Sequence, residues 1–90
     1  MKVLPTVEIY TTQFCPYCAR AKQLLNFKSI PFTEISVDHS PELRGEMTQR
    51  SLGGVTVPQI FINGDPIGGS DELLALDENG ELDELLFSKK

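Results

Sequence analysis

The residues of this chain best suited to chemistry are its two cysteines, set three positions apart in Phe14-Cys15-Pro16-Tyr17-Cys18. The residues before them, Thr6 to Thr11, alternate like a strand, and those from Pro16 to about Lys28 have helical spacing. Cys15 thus falls just ahead of a helix, where unpaired backbone N–H groups and the positive end of the dipole face its sulfur and favour thiolate over thiol. A free thiol has a pKa of about 8.5, and CxxC sites bring it down to about 3.5–7.5. A drop of about three units is roughly 4 kcal/mol of differential stabilisation. A helix end supplies only about 0.3–2 kcal/mol. Direct hydrogen bonds and nearby cations must supply the rest, and Arg20, Lys22 and Lys28 lie on the same helix. Pro16 suits the first turn, where a missing N–H costs nothing. Cys18 lies within reach of Cys15 and is expected to be the more buried thiol.

Two other uses of a cysteine pair compete. Zinc takes four N or S ligands, whereas this chain offers only Cys15, Cys18 and His39. Two inert core cysteines would sit oddly beside a proline at a helix start. A redox dithiol is the favoured reading.

Two further stretches could form a binding surface. Thr56-Val57-Pro58 precedes a strand, where a proline is tolerated at the first position. The default reading is a trans bond. A cis bond costs an X–Pro pair only about 0.5–1 kcal/mol, and it would turn the Val57 N–H and C=O outward to pair with an incoming peptide. Gly68-Gly69-Ser70-Asp71 leads into a helix, and its free N–H groups could form a carboxylate-binding nest with Asp71 accepting from an ammonium. The plainer reading is a tight turn with Ser70 as N-cap. His39 is expected to be a solvated loop residue, Tyr10 partly buried core, and the acids from Asp77 to Glu84 a solvated face.

These residues must be carried by eight elements. After the first strand and helix, Phe32 to Val37 alternates again, with Ile35 and Val37 on one face. Ser40-Pro41 caps and opens a helix running to about Ser51, with Leu43 and Met47 inward. Gln59 to Ile62 is a strand, Asn63-Gly64 a type I′ hairpin turn, and Asp65 to Gly68 a returning strand placed at an edge by Pro66. A third helix opens at Ser70-Asp71-Glu72 and breaks at Asn79-Gly80, and Leu82, Leu85 and Leu86 mark a last short helix. The order βαβαββα(α) predicts an α/β domain. A parallel first pair and an antiparallel hairpin form a four-stranded mixed sheet between helices.

Ninety residues make one small domain, 1–90, with an ordinary 40% hydrophobic and 23% charged content. The net charge of −5 is concentrated after residue 50 and argues against nucleic acid and anionic membranes. No apolar run approaches the ~20 residues of a membrane span, and the first residues lack the apolar core of a signal peptide. Two cysteines are too few for a secreted disulfide scaffold. A cytoplasmic monomer is expected.

Taken together, Cys15-Pro16-Tyr17-Cys18, Thr56-Val57-Pro58 and Gly68-Gly69-Ser70-Asp71 stand in the order and spacing of a glutaredoxin, and the resemblance spans Val7 to Leu86. Ala75-Leu76-Asp77 and Gly80-Glu81-Leu82-Asp83 resemble the tail of small bacterial members. The resemblance implies a thioredoxin-like fold with cis Pro58. It implies reduction of protein disulfides, such as that of ribonucleotide reductase, and of glutathione mixed disulfides, with glutathione as reductant and no bound cofactor. By position, Cys15 would be the nucleophile and Cys18 the resolving thiol. Thr12, Tyr17, Thr56, Val57, Pro58, Gly69, Ser70 and Asp71 would line the glutathione site beside Cys15. Two positions depart from the family pattern. Thr12 stands where a lysine is usual, and Leu52-Gly53-Gly54-Val55 lacks the usual Arg or Gln, leaving Arg50 as the neighbouring cation. A less positive site is expected. Two rivals remain. A thioredoxin-like redoxin reduced by a flavoprotein reductase would not need the Gly68–Asp71 nest. An iron–sulfur carrier, bridged through Cys15 and glutathione, would favour a small residue in place of Pro16.

Overall fold

The computed structural model describes residues 5–87. The elements are β1 (Val7–Thr11), α1 (Pro16–Phe27), β2 (Thr33–Ser36), α2 (Pro41–Arg50), β3 (Gln59–Ile62), β4 (Asp65–Gly68), α3 (Ser70–Glu78) and α4 (Glu81–Phe87). The sheet order is β2-β1-β3-β4, with β1 parallel to β2 and antiparallel to β3, and β3 antiparallel to β4. The expected mixed sheet and element order are both present, with ends within about a residue of those read from the periodicity.

Strand alternation divides the core in two. Val7, Ile9, Ile60 and Ile62 point to one face, where they meet Ala21 and Leu25 of α1, Leu73 of α3, and Leu82 and Leu86 of α4. Tyr10 and Phe61 point to the other face, where Val37 and Met47 complete a smaller cluster with α2. Both central strands therefore carry apolar side chains on both faces, as a covered sheet requires. Asn63 and Gly64 have φ of 53° and 85°, as the expected I′ turn demands. The Asn63 side chain also accepts from the Thr6 N–H, which fastens the turn to the start of β1.

The smaller face holds a polar network that the sequence did not announce. Tyr10 is fully buried rather than partly buried. Its hydroxyl donates to Glu46 at 2.6 Å and accepts from Arg50 at 2.8 Å. Arg50 also reaches both oxygens of Glu8 and stacks 4.2 Å from the Phe61 ring centre. Burial first, and then the Glu46 carboxylate, raise the Tyr10 pKa, against the opposing effect of Arg50.

Leu25 is fully buried at the centre of the larger cluster. Leu25→Ala should lower unfolding free energy by about 2–5 kcal/mol, read from the urea midpoint. A loss below ~1 kcal/mol would mean that α1 does not depend on this contact.

Candidate active site

The end of β1 and the head of α1 place the two cysteines. Cys15 is the N-cap of α1 in extended conformation, and Pro16 is the first helical residue, as the sequence predicted. The Cys18 N–H donates to Cys15 Sγ at 3.1 Å, so the sulfur takes the place of a capping oxygen. Both thiols are free. Cys15 is half-buried and Cys18 is fully buried beneath it. Burial, and then the hydrogen bond to Cys15, push the Cys18 thiol up to about 12, while the Thr12 backbone and the Lys22 charge pull the other way. Cys18 thus holds its proton at neutral pH.

The loop before β1 meets α1 is tied from outside. Asp38, beyond β2, accepts from the Gln13 N–H at 2.7 Å. Thr12 itself is half-buried, and Phe14 and Tyr17 on either side of Cys15 stand 89% and 56% exposed. Phe14, Leu52 and Val55 form exposed apolar positions that the sequence reading did not single out. A large apolar residue next to a reactive cysteine was the available signal.

The second stretch lies against the first. Cys15 Sγ is 3.9 Å from the Val57 carbonyl oxygen. The Val57–Pro58 bond is cis, which corrects the trans default drawn from residues alone and agrees with the resemblance. The small intrinsic preference of X–Pro bonds leaves this choice to tertiary packing. Pro58 is buried, Val57 half-buried and Thr56 exposed. Gln59 fixes the stretch by donating to the Thr56 carbonyl at 3.0 Å. A Cβ on Gly54 would lie 2.6 Å from Ser51 Oγ and 2.7 Å from Gln59 Nε2, so those side chains would have to move to admit one.

The third stretch closes the site. A Cβ on Gly69 would lie 3.3 Å from the Pro58 carbonyl oxygen, so the turn passes close behind the cis proline. Gly68 has φ of 114°, a region that favours glycine. The capping assignment is corrected: Gly69, not Ser70, is the N-cap of α3. Ser70 is the first helical residue and is 4% exposed, because the helix begins as soon as the turn clears Pro58. Glu72 does the capping, accepting from the Gly69 N–H at 2.6 Å. The acid at the third helical position was legible, but the preceding hydroxyl drew the assignment. Asp71 is exposed in the same turn.

Three cations of the first half of the chain are tied to carboxylates. Arg50 is held by Glu8 and Tyr10 on the opposite side of the sheet. Lys28 bridges Asp77 and Asp83 at 2.8 Å each; Asp77 is half-buried, while Glu78, Glu81, Asp83 and Glu84 are exposed, as expected of a solvated face. Lys22 pairs with Glu34. His39 is an exposed loop residue in the left-handed region, as expected.

The glutaredoxin family profile matches residues 7–67. The chain belongs to the glutaredoxin family. A glutaredoxin of Pseudomonas aeruginosa is 54% identical over 83 residues, covering 92% of this chain and 98% of that protein. The solution structure of a Brucella melitensis glutaredoxin has 52% identity and a TM-score of 0.83, covering 97% of this chain and 94% of that one. A buckwheat glutaredoxin–glutathione complex has 27% identity and a TM-score of 0.82, covering 91% and 76%. The fold is accordingly thioredoxin-like. The protein is a glutathione-dependent thiol oxidoreductase with Cys15 and Cys18 as its dithiol.

The unequal burial of the two thiols has a direct readout. At pH 8, iodoacetamide should alkylate Cys15 at least tenfold faster than Cys18, as read by peptide mass spectrometry. Equal labelling would contradict the burial and protonation assigned to Cys18.

Proposed function

We propose that this glutaredoxin reduces glutathione mixed disulfides and protein disulfides, with Cys15 as nucleophile and Cys18 as resolving thiol. The observation that carries this reading is the unequal pair itself. The accessible sulfur caps a helix, and the protonated one waits beneath it. Cys15 attacks the substrate disulfide. A glutathionylated protein leaves as its thiol, glutathione stays on Cys15, and a second glutathione removes it. A protein disulfide instead leaves a mixed disulfide that Cys18 resolves, and two glutathiones then reduce the Cys15–Cys18 bond.

Glutathione would lie across the three stretches that converge on Cys15. Val57, presented beside Cys15 by Thr56 and Pro58, would pair with the cysteinyl backbone as a short added strand. Tyr17 would cover one side and Thr12 the other. Gly69, Ser70 and Asp71 would take the γ-glutamyl end. The N–H groups at the head of α3 suit its carboxylate, and exposed Asp71 suits its ammonium. The buckwheat complex supports glutathione as the ligand of a close fold relative. No prosthetic group enters this scheme. Residues 1–90 act as one glutaredoxin domain, a cytoplasmic monomer whose protein substrates include disulfides of the ribonucleotide reductase kind. Among the described residues no helix is long and apolar enough to cross a membrane. The Gly69–Asp71 turn behind Pro58 favours glutathione over a flavoprotein reductase as electron source.

Glutathione-dependent reduction of a small mixed disulfide, coupled to glutathione reductase, tests the reading. Cys15→Ser should abolish turnover. Cys18→Ser should retain it within a few-fold while losing reduction of a protein disulfide. Loss of mixed-disulfide reduction in a folded Cys18→Ser protein would rule out the one-thiol route.

The missing lysine gives a separate expectation. Thr12→Lys should tighten glutathione binding several-fold at most, since partly screened pairs contribute about 0.2–1 kcal/mol. The gain should shrink with salt, as charges are screened over ~10 Å at 0.1 M. Unchanged affinity at low salt, by calorimetry, would show the departure at Thr12 to be neutral.

A further inference from the structure

Cys18 has a difficult task in the scheme above. It must lose a proton before it can attack, yet it is fully buried. Burial is the first cause that keeps its proton in place. The titratable groups whose charge bears on it are Cys15 and Lys22. Once Cys15 is in a mixed disulfide it carries no charge, and Lys22 remains.

Lys22 lies four residues after Cys18 on α1, so the two side chains share one face of the helix. The ammonium is not free to wander. Its Nζ is 3.0 Å from Glu34 Oε2 on β2. The same oxygen accepts from Thr11 Oγ1 at 2.8 Å, and Thr11 is 1% exposed at the end of β1. The pair is therefore anchored to a buried hydroxyl at the end of β1, one residue before Thr12. Lys22 and the Thr11 hydroxyl hold the Glu34 carboxyl below its ordinary pKa, so it is ionised at neutral pH. Isolated surface ion pairs are usually loose. This one has a third, buried partner, and it spans α1, β1 and β2.

We propose that Lys22 and Glu34 are positioning residues that set the rate of resolution, Lys22 hastening attack by Cys18 and Glu34 holding it in place while cancelling part of its charge. In the step concerned, the Cys18 thiol gives its proton to solvent and its sulfur attacks Cys15 Sγ. The Cys15–Cys18 bond forms as the bond from Cys15 to the substrate sulfur breaks, and the substrate leaves as thiolate with the electron pair. The two cysteines are oxidised and the substrate disulfide is reduced. A faster resolution favours the dithiol route, and a slower one leaves time for glutathione to clear Cys15. The pair thus sets the division between the two routes.

The inference rests on the dithiol reading, and one experiment separates the two. Reduced protein is mixed in a stopped-flow cell with one equivalent of dithiobis(nitrobenzoate). The first thionitrobenzoate reports attack by Cys15, and the second, independent of reagent concentration, reports attack by Cys18 on the mixed disulfide. Lys22→Met should slow the second phase by roughly two- to fivefold, and Lys22→Arg should restore it. Glu34→Gln keeps acceptors for Thr11 and Lys22 but removes the opposing charge, and should speed the second phase by a similar factor. These differences should narrow in high salt, and the first phase should stay within about twofold. A second phase unaltered in all three variants would overturn the proposal. So would equal slowing in Lys22→Met and Glu34→Gln, which would mark the pair as structural only. Absence of any second phase in the unmodified protein would overturn the dithiol reading itself.

Discussion

The hydrogen bond from the Cys18 N–H to Cys15 Sγ is the contact on which the site depends. A helix start needs an acceptor for its first free N–H groups. Here that acceptor is the reactive sulfur, so helix capping and positioning of the nucleophile are one interaction. It holds only while α1 keeps its place. Ala21 and Leu25, both fully buried, press the helix onto β1 and β3. The same packing buries Cys18, whose position one turn into the helix lies on the inward side. Burial of one thiol and presentation of the other thus follow from a single helix orientation.

The antiparallel pairing of β1 with β3 brings the second half of the chain to the cysteines. Tyr10 pairs with Gln59 in the register, and Gln59 in turn holds the Thr56 carbonyl. Val57 is thereby delivered to Cys15, and Pro58 to the turn at Gly69. On the far face, Arg50 joins Glu8 and Tyr10 of β1 to the end of α2 and covers Phe61 of β3. The loop from Ser51 to Val57 leaves from that anchored end. A charge that by sequence lies near the site is consequently spent on holding the loop that builds it.

The charges follow the same logic. Three of the cations in the first half of the chain are bound to carboxylates: Lys22 to Glu34, Lys28 to Asp77 and Asp83, and Arg50 to Glu8. Each pair crosses between elements. At Cys15 the Cys18 N–H at the head of α1 is a fixed donor that needs no counterion. At the other end of the site, Glu72 occupies the Gly69 N–H and leaves Asp71 exposed in the turn.

The sequence by itself determined whatever depends on neighbours along the chain. Period-two alternation marked the strands, Asn63-Gly64 marked the turn, and Pro16 after Cys15 marked the helix start with a thiol before it. The family pattern added that three distant stretches belong together. The tertiary structure decided what depends on contacts between them. The cis state of Pro58 is one case, because the local preference is too small to settle it. The shift of the cap from Ser70 to Gly69 is another, because the close pass behind Pro58 fixes where α3 begins. The partners of Lys22 and Arg50 are a third. A long flexible cation can reach several acids, and only the parallel placement of β2 beside β1, and of α2 across the sheet, brings Glu34 to one and Glu8 to the other.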